Sequence, residues 1–372
     1  MIDTKSKIIN AAIELFSSTP YGDVSILQIS KKANVSNGIV YKYFKNKEDL
    51  FTYLLNIIVD KIQSELQYIV GETLEERLKN FIELNIKLTE QEATIIKIFR
   101  DGQYRFIEYE KKIKKGYLKS LEKVFQRKLN SYETIYILGS IRFINISYHS
   151  RKLTYNYDLL VNILLNGFLN PTKIDVQKIY NSDFYERIIL NSDNLKHQIL
   201  KKGEKLFGER EYHDVKVKDI TKKLEISIGS FYSFFETKEE FLSEIVEKLK
   251  KEILFLLKDN YCKETNLNEM HTTFLYIFIE YFKKSIHKYK LIRDVEFLNF
   301  DIFIDFLNKI ENFYIETLTI EGISYEDKRL MANILLGLQH YMGIEIFFIN
   351  SFKDQDKFLE KMSYYLSNGI IN

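Results

Sequence analysis

Any fold available to this chain has to be buildable twice, because residues 8–50 recur as residues 199–241, without a gap and at a constant offset of 191. In the first copy Ile8, Ala12, Leu15 and Phe16 fall at i, i+4, i+7 and i+8, one apolar stripe along a helix, and Leu200, Gly203, Leu206 and Phe207 form a like stripe in the second. Pro20 punctuates the turn that follows. A second short helix carries Ile26, Ile29 and Ala33 inward. A third begins at Ser36, whose hydroxyl suits exposed backbone N–H groups, and buries Val40 and Phe44. Only the tight Asn34-Val35 turn separates these two helices. So short a turn holds the third helix proud of the body, a geometry that fits a DNA major groove.

Ile9, Ala11, Ala12, Leu15 and Phe16, followed by Ile29, Val35, Ser36, Gly38, Tyr41, Phe44, Lys47, Glu48 and Leu50, resemble the N-terminal signature of tetracycline-repressor-type (TetR family) transcriptional regulators. The resemblance covers about fifty residues in each half; beyond them only length and helical character are shared. It implies an all-α fold of two TetR-like units. Each would hold a three-helix helix-turn-helix domain and a C-terminal helical domain for ligand binding and dimerisation. Family members are usually symmetric dimers whose last two helices form a four-helix bundle, so this chain is expected to act as an intrachain pseudo-dimer.

The repeat continues beyond the heads. At an offset of 193, Phe81 pairs with Phe274, Arg100-Asp101 with Arg293-Asp294, and Ser131-Tyr132-Glu133 with Ser324-Tyr325-Glu326; Asn166-Gly167 pairs with Asn368-Gly369 at 202. Shared order and nearly constant spacing indicate that a whole regulator was duplicated. The expected domains are a first helix-turn-helix at 1–47, a first regulatory domain at 48–170, a linker at 171–192, a second helix-turn-helix at 193–238 and a second regulatory domain at 239–372. Pro171, one of only two prolines, opens the linker, in which 183–190 could add a helical turn. About twenty extended residues reach ~65 Å, enough to join two halves of a dimer-like arrangement.

A formal net charge of +2 makes any nucleic-acid footprint local. Residues 1–50 hold seven Lys against five acidic residues, whereas 193–242 hold ten basic against ten acidic. Lys42, Lys45 and Lys47 correspond to Ser233, Glu236 and Lys238, so the first head is the better DNA binder. A single cysteine, Cys262, excludes an internal disulfide framework and a thiolate metal site, and suits a reducing cytoplasm. The polar start lacks the apolar core of a secretion signal, and no uninterrupted apolar run of membrane-spanning length occurs. Tyr and Phe are abundant and Trp absent; AT-rich codons account for this better than an aromatic pocket does, and they suggest AT-rich operators.

In the first head Asn37, Gly38, Tyr41 and Lys42 are the candidates for base edges, with Ser25, Ser36, Tyr43 and Lys47 for phosphates. In the second, Ile228, Gly229, Tyr232 and Ser233 correspond to the base readers, and Lys216, Ser227 and Lys238 to the phosphate contacts. Each could instead be a solvated surface residue. Phe234 and Leu224 depart from the family pattern, so the second head either reads a different, thymine-methyl-rich half-site through Ile228 or has become a structural partner.

The family's helical domains imply a small-molecule pocket with apolar walls and a few polar groups. Arg100, Tyr104, Arg142, Asn145 and His149, and likewise Arg293, Glu296, Gln339 and His340, are the polar residues on apolar helices that could face such pockets; core or interface hydrogen bonds are the competing role. The recurring Arg-Asp pair favours a repeated structural ion pair. No HExxH spacing, Walker loop, dinucleotide fingerprint or nucleophile elbow supports an enzyme, and no cofactor is expected. The expected function is a DNA-binding transcriptional regulator, a repressor that leaves an imperfect palindrome when a small-molecule effector binds. The alternative is an interaction protein with a degenerate second head that titrates or scaffolds another regulator.

Overall fold

The computed structural model describes residues 3–172, 174–175, 194–262 and 265–371. Apart from residues 171–172 and 174–175, the expected linker and its extra helical turn lie outside the described residues. All regular structure among the described residues is helical. The first copy builds α1 (Thr4–Ser18), α2 (Ile26–Lys32), α3 (Asn37–Tyr43), α4 (Lys47–Glu65), α5 (Leu74–Gln91), α6 (Ala93–Gly102), α7 (Ile107–Phe125), α8 (Ser131–Arg151) and α9 (Tyr157–Asn166). The second repeats them in order as α10 (Leu195–Glu209), α11 (Val217–Lys223), α12 (Ile228–Tyr232), α13 (Lys238–Asp259), α14 (Leu267–Lys283), α15 (Ile286–Leu298), α16 (Phe300–Thr317), α17 (Tyr325–Ile344) and α18 (Gln355–Asn368).

Local chemistry sets the helix starts. Ser25 and Gln28 form a reciprocal capping box on α2, and Thr73 with Glu76 and Asn130 with Glu133 do the same on α5 and α8. Asn46 caps α4 and Thr237 caps α13 at matching positions. The turn inside each helix-turn-helix needs one left-handed residue: Asn34 has φ 53° and its counterpart Glu225 has φ 56°. Asn tolerates that conformation, whereas Glu carries the usual cost of a Cβ crowding the backbone.

The chain divides into two compact units, Met1–Val161 and Asn162–Asn372. In the first, Ile8, Ala12 and Phe16 of α1 are buried with Val40, Phe44, Leu50 and Phe51, and the core continues through Leu54, Ile58, Phe81 and Ile82. In the second, Phe207, Phe231, Phe235 and Phe241 meet at ring-centroid distances of 4.8–5.6 Å. The larger ring of Phe231, where the first copy has Val40, makes this second head core more aromatic.

The stretch 325–349 is long and apolar enough to cross a membrane, but 72 % of its apolar window is buried inside the protein, as in a core helix. Within the second unit, the end of α9 and the end of α18 clasp each other reciprocally. The Phe168 and Leu169 amides donate to the Leu366 carbonyl at 2.8 and 3.0 Å, and those of Ile370 and Ile371 donate to the Leu165 carbonyl at 3.1 and 3.2 Å. Gly167 (φ 76°) and Gly369 (φ 62°) permit this approach: a Cβ on either would lie 2.3 Å from the Ser367 carbonyl carbon or 2.1 Å from that of Leu165.

Candidate nucleic-acid interface and regulatory cavity

Helix α3 presents its outer face to solvent. Tyr41 is 54 % exposed, Tyr43 is exposed beside it, and Asn37, Gly38 and Lys42 are exposed on the same short helix. A Cβ on Gly38 would meet only the Ser36 hydroxyl, at 3.9 Å, so the backbone here is bare to an approaching partner. Asn37 is anchored rather than free: its Oδ1 accepts a hydrogen bond from the buried Ser30 hydroxyl of α2, tying the two helices across the turn. Ser25 is exposed, and its hydroxyl also serves the α2 cap. Ser36 stands at the α3 N-cap position with its side chain making no cap hydrogen bond.

The second head repeats the scaffold with different chemistry. Helix α12 has five residues against seven in α3. Ile228 (46 %), Tyr232 (51 %) and Phe234 (37 %) give it an exposed apolar face beside exposed Gly229 and Ser233. Ser227 accepts the Ser230 amide at 3.0 Å, and the Ser233 hydroxyl donates to the Ser230 carbonyl at 2.8 Å. Lys216 keeps an exposed side chain while its amide donates to Asp219 at 2.9 Å.

Lys47 and Lys238, expected to face phosphates, each donate to a backbone carbonyl of their own head. The Lys47 ammonium donates to the Tyr21 carbonyl at 2.8 Å and sits 4.2 Å from the Tyr21 ring centroid. Lys238 donates to the Tyr212 carbonyl and lies 3.9 Å from that ring. In both heads a half-buried ammonium holds the 3₁₀ turn between the first two helices, a cation–π and carbonyl pin that the sequence pattern did not disclose.

Behind each head lies a small cavity at equivalent positions. Ile62, Asn85, Thr89, Tyr117 and Ile146 line the first, and Ile253, Phe278, Phe282, Ile310 and Gln339 line the second. The first measures about 40 Å³ and the second about 20 Å³. Such volumes hold a few waters at most, so effector-sized ligands need the helices to part. Of the candidate pocket residues, Arg100, Arg142 and Asn145 line the first cavity and Gln339 the second. Tyr104 and Glu296 are half-buried outside these linings, and His149 is exposed at the end of α8. Arg293 packs over the Phe348 ring at 5.0 Å, and the His340 carbonyl accepts the Tyr289 hydroxyl at 2.8 Å.

Arg142 makes a two-pronged contact with Glu110, Nη1 to Oε1 at 2.5 Å and Nη2 to Oε2 at 3.0 Å, with both side chains almost wholly buried. Glu110 carried no signal in the sequence pattern. The recurring Arg-Asp pairs diverge: Asp294 accepts from Arg293 at 3.3 Å, whereas Asp101 accepts the Tyr21 amide at 2.8 Å and so connects α6 to the first head's pinned turn. The second unit makes that junction ionic. Glu204 of α10 accepts from Lys248 of α13 at 2.6 Å and faces His287 of α15 at 3.2 Å. Burial alone would raise the Glu204 carboxyl, but His287, Lys288 and Lys248 together hold it at about 2.

Comparison with known proteins matches this architecture to one family. The domain described as "Bacterial regulatory proteins, tetR family" matches residues 8–54 and again 199–245. The HTH-type transcriptional regulator HbdR of Aromatoleum sp. (strain CIB) is 38 % identical over 64 residues, 17 % of this chain and 28 % of that protein. The fatty acid metabolism regulator protein of Bacillus subtilis (strain 168) is 26 % identical over 133 residues, 34 % of this chain and 69 % of that one. A crystal structure of a transcriptional regulator from Aquifex aeolicus VF5 covers 45 % of this chain and 94 % of its own, at 24 % identity and a TM-score of 0.37. The chain thus spans from about a quarter to about two thirds of the length of these two curated relatives. It carries the domain of the tetR family of bacterial regulatory proteins twice, once at the start of each copy.

Proposed function

We propose that this chain is a transcription regulator that reads one operator with two unlike heads, as a single-chain pseudo-dimer, and lets go of DNA when a small molecule binds its helical domains. The observation that carries the reading is the α3 face, where Asn37, Gly38, Tyr41 and Lys42 are presented together on a helix anchored from behind. Lys42 supplies a charge for guanine or phosphate, Asn37 an amide for adenine, and Tyr41 an amphipathic ring. In this reading the heads span 1–47 and 193–238, the regulatory domains 48–170 and 239–372, and 171–192 links the copies. The reciprocal clasp of Gly167 and Gly369 supports the pseudo-dimer, since symmetric partners would meet through equivalent residues. Release would follow if the effector favours a head spacing that no longer matches successive major grooves.

The test is binding to a fragment of the gene's own upstream region at two salt concentrations. Wild type would be compared with Tyr41→Ala/Lys42→Ala and Ile228→Ala/Tyr232→Ala. Loss in both variants, with steep salt dependence and one chain per operator, is the expected result. A second reading, that the second head has become a protein-binding scaffold, is favoured by its apolar face and by Glu236 in place of Lys45. Loss in the first variant only would establish that reading; no wild-type binding would overturn the operator proposal for this region.

A further inference from the structure

The two cavities are the same place in the fold, so their linings can be compared position by position at the offset of 193. Asn85 and Thr89 of the first become Phe278 and Phe282 in the second, and Asn145 becomes Leu338. The buried pair is replaced as a unit: Glu110 corresponds to Phe303 and Arg142 to Leu335. The second copy therefore builds this α-helical packing with apolar side chains where the first uses an ion pair. Buried ion pairs are often no more stabilising than such replacements, so the fold by itself does not require Arg142 and Glu110.

What the first copy retains is a cavity with apolar walls from Ile58, Ile62 and Phe99, two guanidinium groups from Arg100 and Arg142, and no carboxylate among its lining residues. We infer that the chain has one effector site, in its first regulatory domain, and that the site takes a small apolar carboxylate. The carboxylate would meet the planar donor array of Arg142 in competition with Glu110, with Arg100 beside it, while its apolar body parts the isoleucine walls. Phe278 and Phe282 occupy the equivalent wall in the second domain, whose lining holds Gln339 and Tyr281 but no charged group. The inference rests on the proposed regulatory reading for the ligand's role alone; the site stands or falls without DNA.

Calorimetry on the full chain, with no DNA present, would titrate hexanoate and benzoate against hexanol and benzyl alcohol. The expected result is one equivalent of carboxylate per chain and at least about tenfold weaker binding of the alcohols. Glu110→Phe/Arg142→Leu, which installs the second copy's pair, should weaken the carboxylate at least about tenfold, and Arg100→Gln, which leaves the buried pair intact, should weaken it as well. Two equivalents per chain, alcohols binding as well as carboxylates, unchanged affinity in Arg100→Gln, or no carboxylate binding up to about 10 mM would each overturn the inference. Failure to bind an operator alongside successful titration would remove the regulatory reading and leave the site.

Discussion

Replacing Gly203 with alanine would place a Cβ 2.1 Å from Cζ and 2.3 Å from Cε1 of Phe241, far inside van der Waals contact. The ring cannot swing aside easily, because it is enclosed by Phe207, Phe231 and Phe235 at 4.8–5.6 Å. Overpacking of this kind costs about 1–3 kcal/mol, against which alanine gains about 1 kcal/mol of helix propensity. Gly203→Ala alone should therefore destabilise the second head by roughly 0–2 kcal/mol. Phe241→Leu alone opens a cavity and should cost on the order of 1–2 kcal/mol. The first copy already contains the combined solution, Ala12 with Leu50, both fully buried. The double variant should consequently be better than the sum of the singles by at least about 1 kcal/mol. The chain has no Trp, so peptide-resolved hydrogen exchange across α10 and α13 is the suitable assay. Additivity of the two substitutions to within about 0.5 kcal/mol would refute the claim that this pair changed together.

Three further outcomes follow from the same geometry. Glu225→Asn should stabilise the second head by roughly 1 kcal/mol, since Asn34 holds the equivalent left-handed position; slower exchange in α11 and α12 would register it, and unchanged exchange would count against the strain argument. Because Glu204 is held at about 2, below its ordinary 4.5, its contribution is complete above about pH 4.5 and fades as pH falls toward 2; Glu204→Gln should flatten that acid loss in the second unit's urea midpoint. Asp101→Ala removes the acceptor of the Tyr21 amide and should cost the α1–α6 junction about 1–2 kcal/mol, read as faster exchange at that amide with α5 and α8 unaffected.

Much of this was legible in the sequence, for identifiable reasons. Helical periodicity marks which side of α1 is buried, and Ser36 marks where α3 starts, although its side chain makes no cap hydrogen bond. The exposed faces of α3 and α12 follow from the same periodicity. The Lys47 pin was less tractable: an ammonium suits a phosphate and a backbone carbonyl equally, and the carbonyl contact depends on where the fold puts Tyr21. The cavity residues were partly visible, with Arg100, Arg142 and Asn145 on the walls of the first cavity and Gln339 on those of the second. Tyr104 and His149 share their polar-on-apolar pattern yet lie elsewhere, because periodicity gives a side chain's angle around its helix and not which neighbour it faces. Glu110 was invisible for that reason: its partner Arg142 lies 32 residues away on another helix.

The divergence between the copies carries an argument about what fusion permits. In a symmetric homodimer every substitution is made in both halves, so a cavity cannot become polar in one and aromatic in the other. Here Asn85 and Thr89 have Phe278 and Phe282 as counterparts, and Arg142 with Glu110 has Leu335 with Phe303. The trade runs the other way at the head junction. Ile13 and Ile57 of the first copy correspond to Glu204 and Lys248, which with His287, Lys288 and Glu252 tie α10, α13 and α15 by charge-assisted hydrogen bonds. Breaking one member of such a buried network leaves its partners charged and unsatisfied, so those three helices are expected to move together or not at all. The first copy has Ile13 and Ile57 at the matching positions and is joined to α6 through Asp101 and the Tyr21 amide. One half thus combines a polar cavity with a mostly apolar head junction, and the other an aromatic-walled cavity with an ionic one.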